Sequence, residues 1–193
     1  LSHVQANPNK VKQYLAGQGT VPFTVNAMMA TLTKFDTIKV PFDGDGPAIA
    51  ALQGGHVDIG FIASGAAIEH IKAGRLKALG VLADKPYQGI APMTDAPSLK
   101  GITKYLPWGS WYGVFVRKET PDDVKAKLVA VFKKAGDNPK YRDMMTSRGT
   151  TMLNISGAEA EKFIQKWQST TAWLYQGAGV AKKNPAELGI AKP

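Results

Sequence analysis

The chain of 193 residues contains no cysteine. That excludes disulfides, thiolate catalysis and any zinc site built on cysteine. Long apolar runs are also missing: none approaches the ~18–20 residues a bilayer-spanning helix needs, so a membrane-spanning chain is not expected. Leu1-Ser2-His3 lacks the basic and apolar regions of a signal peptide, and a start on Leu1 rather than methionine points to a processed or truncated chain. Histidine is sparse, with His3, His56 and His70 alone. None is spaced to pair a base with an orienting acid, and His56-Val57-Asp58 offers two ligand types without further partners, so no metal is expected. Acidic residues number 15 against 24 basic ones, for a net charge of +9. Such a charge draws anions over a range set by salt, or simply keeps the chain soluble where Lys and Arg are scattered. Neither a zinc-finger spacing nor an aromatic RNA-binding strand accompanies it, so nucleic acid is not an expected partner.

The remaining composition, 44% hydrophobic and 20% charged, is that of a globular chain able to bury a core. Glycine punctuates it. From Val40 to Val81 the order is strand (Ile38 to Val40), glycine loop (Gly44-Asp45-Gly46), helix with Pro47 as first residue, a stop at Gly54-Gly55, strand (Val57 to Phe61), helix (Ala66 to Lys72), Gly74 and strand (Leu76 to Val81). Upstream, Val11 to Ala16 reads as a strand, Gly17 to Pro22 as a loop and Thr24 to Leu32 as a helix. This alternation predicts an α/β layer structure with parallel pairing, and its strand–loop–helix junctions place backbone N–H groups where they can face an anion. After Trp108 to Lys118 the chain turns helical. One helix follows Thr120-Pro121, with Thr120 as N-cap and Val124, Leu128, Val131 and Phe132 as its core face. A short one covers Tyr141 to Thr146. The last starts at the Ser156/Glu159 capping box, carries Phe163, Ile164, Trp167 and Leu174 on an apolar stripe, and ends at Gly177. Asp58 reads as a residue that closes a turn by hydrogen bonding.

Several of these segments resemble one family in the right order. VPFDGDGPAIAALQGGHVD followed by HIKAGRLKALGV is similar to the paired signature of the substrate-binding proteins of tripartite tricarboxylate transporters. So are ANPNKV leading to AGQGT upstream, and DAPSLK and WYGVFVRKETPDDV downstream. The resemblance covers nearly the whole chain except the family's N-terminal half-lobe, which has no counterpart here. A fragment of a longer protein is the expected explanation. A naturally short variant would need self-association to cover its exposed core. The resemblance implies an α/β fold: a periplasmic-binding-protein-like (type II) lobe over residues 1–107, a crossover over 108–118, and C-terminal helices of the other lobe over 119–193.

It also implies a site. In Gly17-Gln18-Gly19-Thr20 the glycines admit close backbone approach and Thr20 can donate from hydroxyl and main chain. The loop in relatives faces the cleft; some members carry a histidine a few residues on, where this chain offers Thr24 and Asn26. Gly44, Asp45 and Gly46 border the same cleft, although Asp45 is an awkward neighbour for an anion unless it accepts from a ligand hydroxyl. Ser64 is a helix cap, a ligand donor or both, and Ile62-Ala63 before it departs from the polar pair of many members, which implies a less polar ligand or altered selectivity. Trp111 fits the family's aromatic position, with hinge packing as the alternative. A serine nucleophile is not expected, because Ile62 and Ala66 occupy the glycine positions of the hydrolase elbow around Ser64. The implied function is non-catalytic: capture of a small organic carboxylate, a tricarboxylate or dicarboxylate, in the periplasm and delivery to membrane subunits of the transporter, without metal or organic cofactor. The alternative from another class is the effector domain of a transcriptional regulator, which uses the same two-lobed architecture.

Overall fold

The computed structural model describes all 193 residues apart from Lys34 and Pro107. Two compact units emerge. The first comprises Leu1–Gly109 with Lys166–Pro193, the second Ser110–Gln165. The sequence had kept 119–193 together; in the structure Leu174 and Trp167 join the hydrophobic cluster formed by the first hundred residues, so the end of the chain groups with its beginning.

The first unit starts with α1 (Ser2–Ala6), β1 (Lys12–Leu15), α2 (Val21–Leu32), β2 (Ile38–Pro41), α3 (Asp45–Gln53) and α4 (Ser64–Lys72). Strands β1 and β2 pair in parallel from Lys12↔Ile38 to Leu15↔Pro41. Ile59 adds a single parallel bridge to Gln13 on the other side of β1. The full strand expected over 57–61 does not form. The Asp58 carboxylate takes the Lys12 N–H at 2.7 Å, so it ties its segment to β1, 46 residues away, instead of closing a local turn, and the chain leaves the sheet at Gly60, where a Cβ would lie 3.2 Å from that of Tyr14. The strand expected over 76–81 likewise shrinks to one bridge, Val81↔Pro92, because only the short stretch around Pro92 lies alongside it.

Helix α2 starts at Val21, inside the stretch read from sequence as a loop, rather than at Thr24. Thr20 accepts from the Phe23 N–H, Pro22 sits in the first turn, and Thr24, Val25, Ala27, Met28 and Met29 are buried. Val25, Met28 and Met29 pack into the main core with Phe35, Ile102 and Trp108. A polar network pins this helix to the sheet. Gln13 is fully buried; its Oε1 accepts from Thr37 Oγ1 and Lys39 Nζ, both at 2.6 Å, and its Nε2 donates to Asn26 Oδ1 at 3.0 Å. Lys39 donates to Asn26 and Thr37 as well. Burial lowers the Lys39 pKa, and the Asp36 charge offsets part of that. Helix α3 starts at Asp45, so Pro47 is its third residue rather than its first, still within the turn whose N–H groups lack intrahelical partners.

In the second unit lie α5 (Asp122–Gly136), α6 (Pro139–Ser147) and the start of α7 (Gly157–Gly177). Pro121, not Thr120, occupies the N-cap of α5 and gives no side-chain bond; the Thr120 N–H turns back to the Arg117 carbonyl at 3.1 Å. The expected core face of α5 is not packed, with Val131 64% and Phe132 48% exposed. Residues Trp111–Val116 form no ladder among the described residues, and Tyr112 is 93% exposed.

In the first unit, the Trp108 ring stacks on Trp167 with centroids 6.2 Å apart, and its Nε1 donates to Thr171 Oγ1 at 2.9 Å. Trp108 is buried. Trp108→Ala is therefore expected to lower stability by about 3–5 kcal/mol in urea unfolding, and Trp108→Phe by clearly less; equal midpoints for the alanine variant and the wild type would refute this packing.

Candidate functional site

Parallel strands leave their carboxyl ends on one edge of the sheet, which is where ligands of open α/β folds bind. Here β1, β2 and the Ile59 segment end in three loops at that edge, and each loop starts a helix: α2 after 16–20, α3 after 42–44 and α4 after 60–63. Of the residues singled out from sequence, Gly17, Gly19, Thr20, Gly44, Asp45, Gly46 and Ser64 all fall on these loops or the helix starts beside them.

The side chains have been given specific tasks. Thr20 Oγ1 donates to the Gly17 carbonyl at 2.8 Å and accepts from the Phe23 N–H at 3.3 Å, and its own N–H also reaches the Gly17 carbonyl at 3.3 Å. Both donors thus close the loop. Thr24 is buried, with Oγ1 within 3.0 Å of the Thr20 carbonyl and 2.8 Å of the Tyr175 hydroxyl, so it braces α2 from inside and shows no polar atom at the edge. Ser64 is the first residue of α4, Ala63 holds the cap position, and the exposed Ser64 hydroxyl has no protein partner among the described residues.

Asp45 is the joint between loops. Its Oδ1 accepts from the Tyr14 hydroxyl at 3.2 Å and its Oδ2 from the Ala63 N–H at 3.1 Å, so one half-buried carboxylate ties the end of β1 and the starts of α3 and α4. Burial, then the Asp45 charge, then the bond to Asp45 push the Tyr14 pKa up from 10.0 to about 12. Sequence reasoning missed Tyr14, because a tyrosine within a strand reads as core, and nothing in its spacing announces a partner 31 residues on.

The glycines divide into two kinds. Gly19 (φ +90°) and Gly44 (φ +96°) hold left-handed backbone that side chains resist. Gly17 and Gly46 have no such φ, and a Cβ on either would meet nothing within 4 Å. The fold therefore does not require glycine at those two positions. Trp111 belongs to the second unit, where its ring lies 5.9 Å from Phe115 and 6.3 Å, edge-on, from Phe163. Among the described residues no group of three or more metal-ligating side chains assembles, and no helix is long and apolar enough to cross a membrane.

A family model described as "Tripartite tricarboxylate transporter family receptor" matches residues 1–179. A UPF0065 protein of Bordetella pertussis is 25% identical over 93% of the chain, and one of a Pseudomonas species is 28% identical over 89%. The chain spans about half the length of these relatives, 55% and 50%. Among solved structures, the periplasmic binding protein BugD superposes with a TM-score of 0.75 at 26% identity, over 94% of this chain and 61% of BugD. MatC from Rhodopseudomonas palustris, solved with bound malate, gives 0.71 at 25% identity, over 92% of this chain and 60% of MatC. An R. palustris protein solved with adipate, at 16% identity and a TM-score of 0.79 over 93% of this chain and 60% of its own, shares the fold. These neighbours place the fold among the periplasmic solute-binding proteins.

The Tyr14–Asp45 joint sets a pH dependence. Tyr14 is expected to ionise near pH 12, and ultraviolet titration of the folded protein should lose a late step of one tyrosine in Tyr14→Phe. Below pH 10 native and unfolded chains both keep the Tyr14 proton and stability is unaffected. Between pH 10 and about 12 the unfolded chain releases it first, so this residue makes stability fall as pH rises. A titration without a step near pH 12, or with one that Tyr14→Phe leaves in place, would contradict the buried joint.

Proposed function

Because the chain belongs to the tripartite tricarboxylate transporter receptor family, we propose that it forms part of a periplasmic receptor that captures a small organic carboxylate and passes it to the membrane subunits of its transporter. Dicarboxylates and tricarboxylates are the proposed ligand class, and the malate bound to MatC supports it. The observation that carries the reading is the edge where three loops and three helix starts meet, with Gly17 and Gly46 bare of side chains the fold would tolerate. Backbone N–H groups at helix starts replace part of an anion's hydration shell. The 17–20 and 44–46 loops and the Ser64 hydroxyl are the proposed contacts, while Thr20 and Thr24 hold the first loop in shape. Relatives that are receptors rather than catalysts support a non-enzymatic role, in which the energy of transport comes from the membrane partners.

Calorimetry of the complete gene product against citrate, malate, succinate and aromatic acids is expected to find a binder at one site per chain. Gly46→Ala is the sharper test. Within α3 the substitution should leave stability unchanged or raise it by up to about 1 kcal/mol, yet weaken the carboxylate by about tenfold or more, since a methyl group fills the approach to the backbone. Thr20→Ala should instead lower stability by about 0.5–2 kcal/mol through the lost cap. Unchanged affinity in Gly46→Ala would remove this loop from the site, and a complete protein that binds specific DNA and no carboxylate would replace the receptor by the regulator reading.

A further inference from the structure

Resting on the receptor reading above, we propose that Asp45 determines specificity at this site by selecting carboxylates that carry a hydroxyl group. A free carboxylate offers about four acceptor positions, and Asp45 uses two of them, one on each oxygen, for Tyr14 and the Ala63 N–H. Both donors are neutral, and Asp45 forms no ion pair among the described residues. Its negative charge thus stands half-buried, fixed in place and without a cation, where the three loops meet. A ligand carboxylate brought beside it is repelled. A ligand hydroxyl beside it donates a charge-assisted hydrogen bond to the remaining acceptor positions, and such bonds are about twice as strong as neutral ones. The clamp matters for the discrimination as well: with Tyr14 and Ala63 fixing both oxygens, Asp45 cannot swing away to relieve the repulsion, so an acid lacking the hydroxyl meets the full charge. Ile62 and Ala63 give the neighbouring loop no polar side chain of their own, and the Ala63 N–H of that loop leans on Asp45.

The test compares acids that differ by one hydroxyl, malate with succinate and citrate with propane-1,2,3-tricarboxylate, by calorimetry on the complete gene product. In the wild type the hydroxylated member of a pair is expected to bind about tenfold tighter or more, the size of one charge-assisted hydrogen bond. Asp45→Asn keeps the shape and removes the charge, and should bring the two members within about threefold of each other. Tyr14→Phe keeps the charge but loosens the clamp; it should keep the hydroxylated member ahead, by a ratio between those of the wild type and Asp45→Asn. A residue that merely holds the loop would move both affinities together in Asp45→Asn and leave their ratio alone, and that result would overturn the proposal. So would a wild type that binds both members of each pair equally while still binding carboxylates, an outcome that spares the receptor reading. A wild type that binds neither pair nor any other acid of the panel sinks the receptor reading and this proposal together.

Discussion

Two parallel strands cannot be joined by a tight turn: the chain must cross back over the sheet, and the crossover is usually a helix. The β1–β2 ladder imposes this on the first unit. From Lys12↔Ile38 to Leu15↔Pro41 the pairing requires α2 as the return path, and Ile59 on the far side of β1 requires α3 in the same way. Every strand end then faces the same edge, and every following helix presents its N-terminus there. The clustering of glycine loops at this edge follows from the topology. What the sequence adds is which residues occupy the loops.

The ladder itself is short, four residues in each strand, and its position relative to α2 depends on a polar link instead of apolar packing alone. Gln13 and Lys39 are cross-strand partners, so their side chains leave the same face of the sheet and meet Asn26 from the helix. A fully buried amide without partners would cost a few kcal/mol. Here Gln13 uses its oxygen twice and its nitrogen once. Such a network has one good arrangement, and sliding β1 by a residue would turn Gln13 to the opposite face and strand Lys39. The network therefore fixes the register, and the register fixes which residue, Tyr14, points toward Asp45.

Helices were more legible than strands. The bodies of α2, α3 and α7 follow from local signals: the spacing of Val25, Met28, Met29 and Leu32, the glycine stop at Gly54, the apolar spacing ending at Gly177. The stretches 57–61 and 76–81 have strand composition, but a strand exists only if a neighbour lies alongside. Ile59 and Val81 find one residue's worth of it each. The apolar face of α5 was legible as a pattern and yet stays exposed at Val131 and Phe132, because periodicity says which residues prefer burial and not what is present to bury them. At the site, the sequence located the loops through their glycines. It did not reveal that Thr20 and Thr24 spend their hydroxyls on the backbone and Tyr175, nor that Tyr14 and Ala63 hold Asp45, since those partnerships join residues distant in sequence.

Charge acts on two length scales here, and they have opposite signs. The net charge of +9 belongs to the whole chain; its attraction for an anion is felt at a distance and fades beyond about 8 Å at physiological salt. It can speed the arrival of any anion and cannot tell one acid from another, because every carboxylate responds to it in proportion to charge. Asp45 works at contact distance, where screening by mobile ions is weak and direction matters. In the proposed site, a fixed carboxylate within a chain of net positive charge would leave arrival fast and make residence depend on what the ligand presents to it. On the same proposal, Gly17 and Gly46 would contribute the other half of that discrimination. Their missing side chains would let a ligand come close enough for contact chemistry to decide, and the backbone makes no demand of its own for glycine at either place.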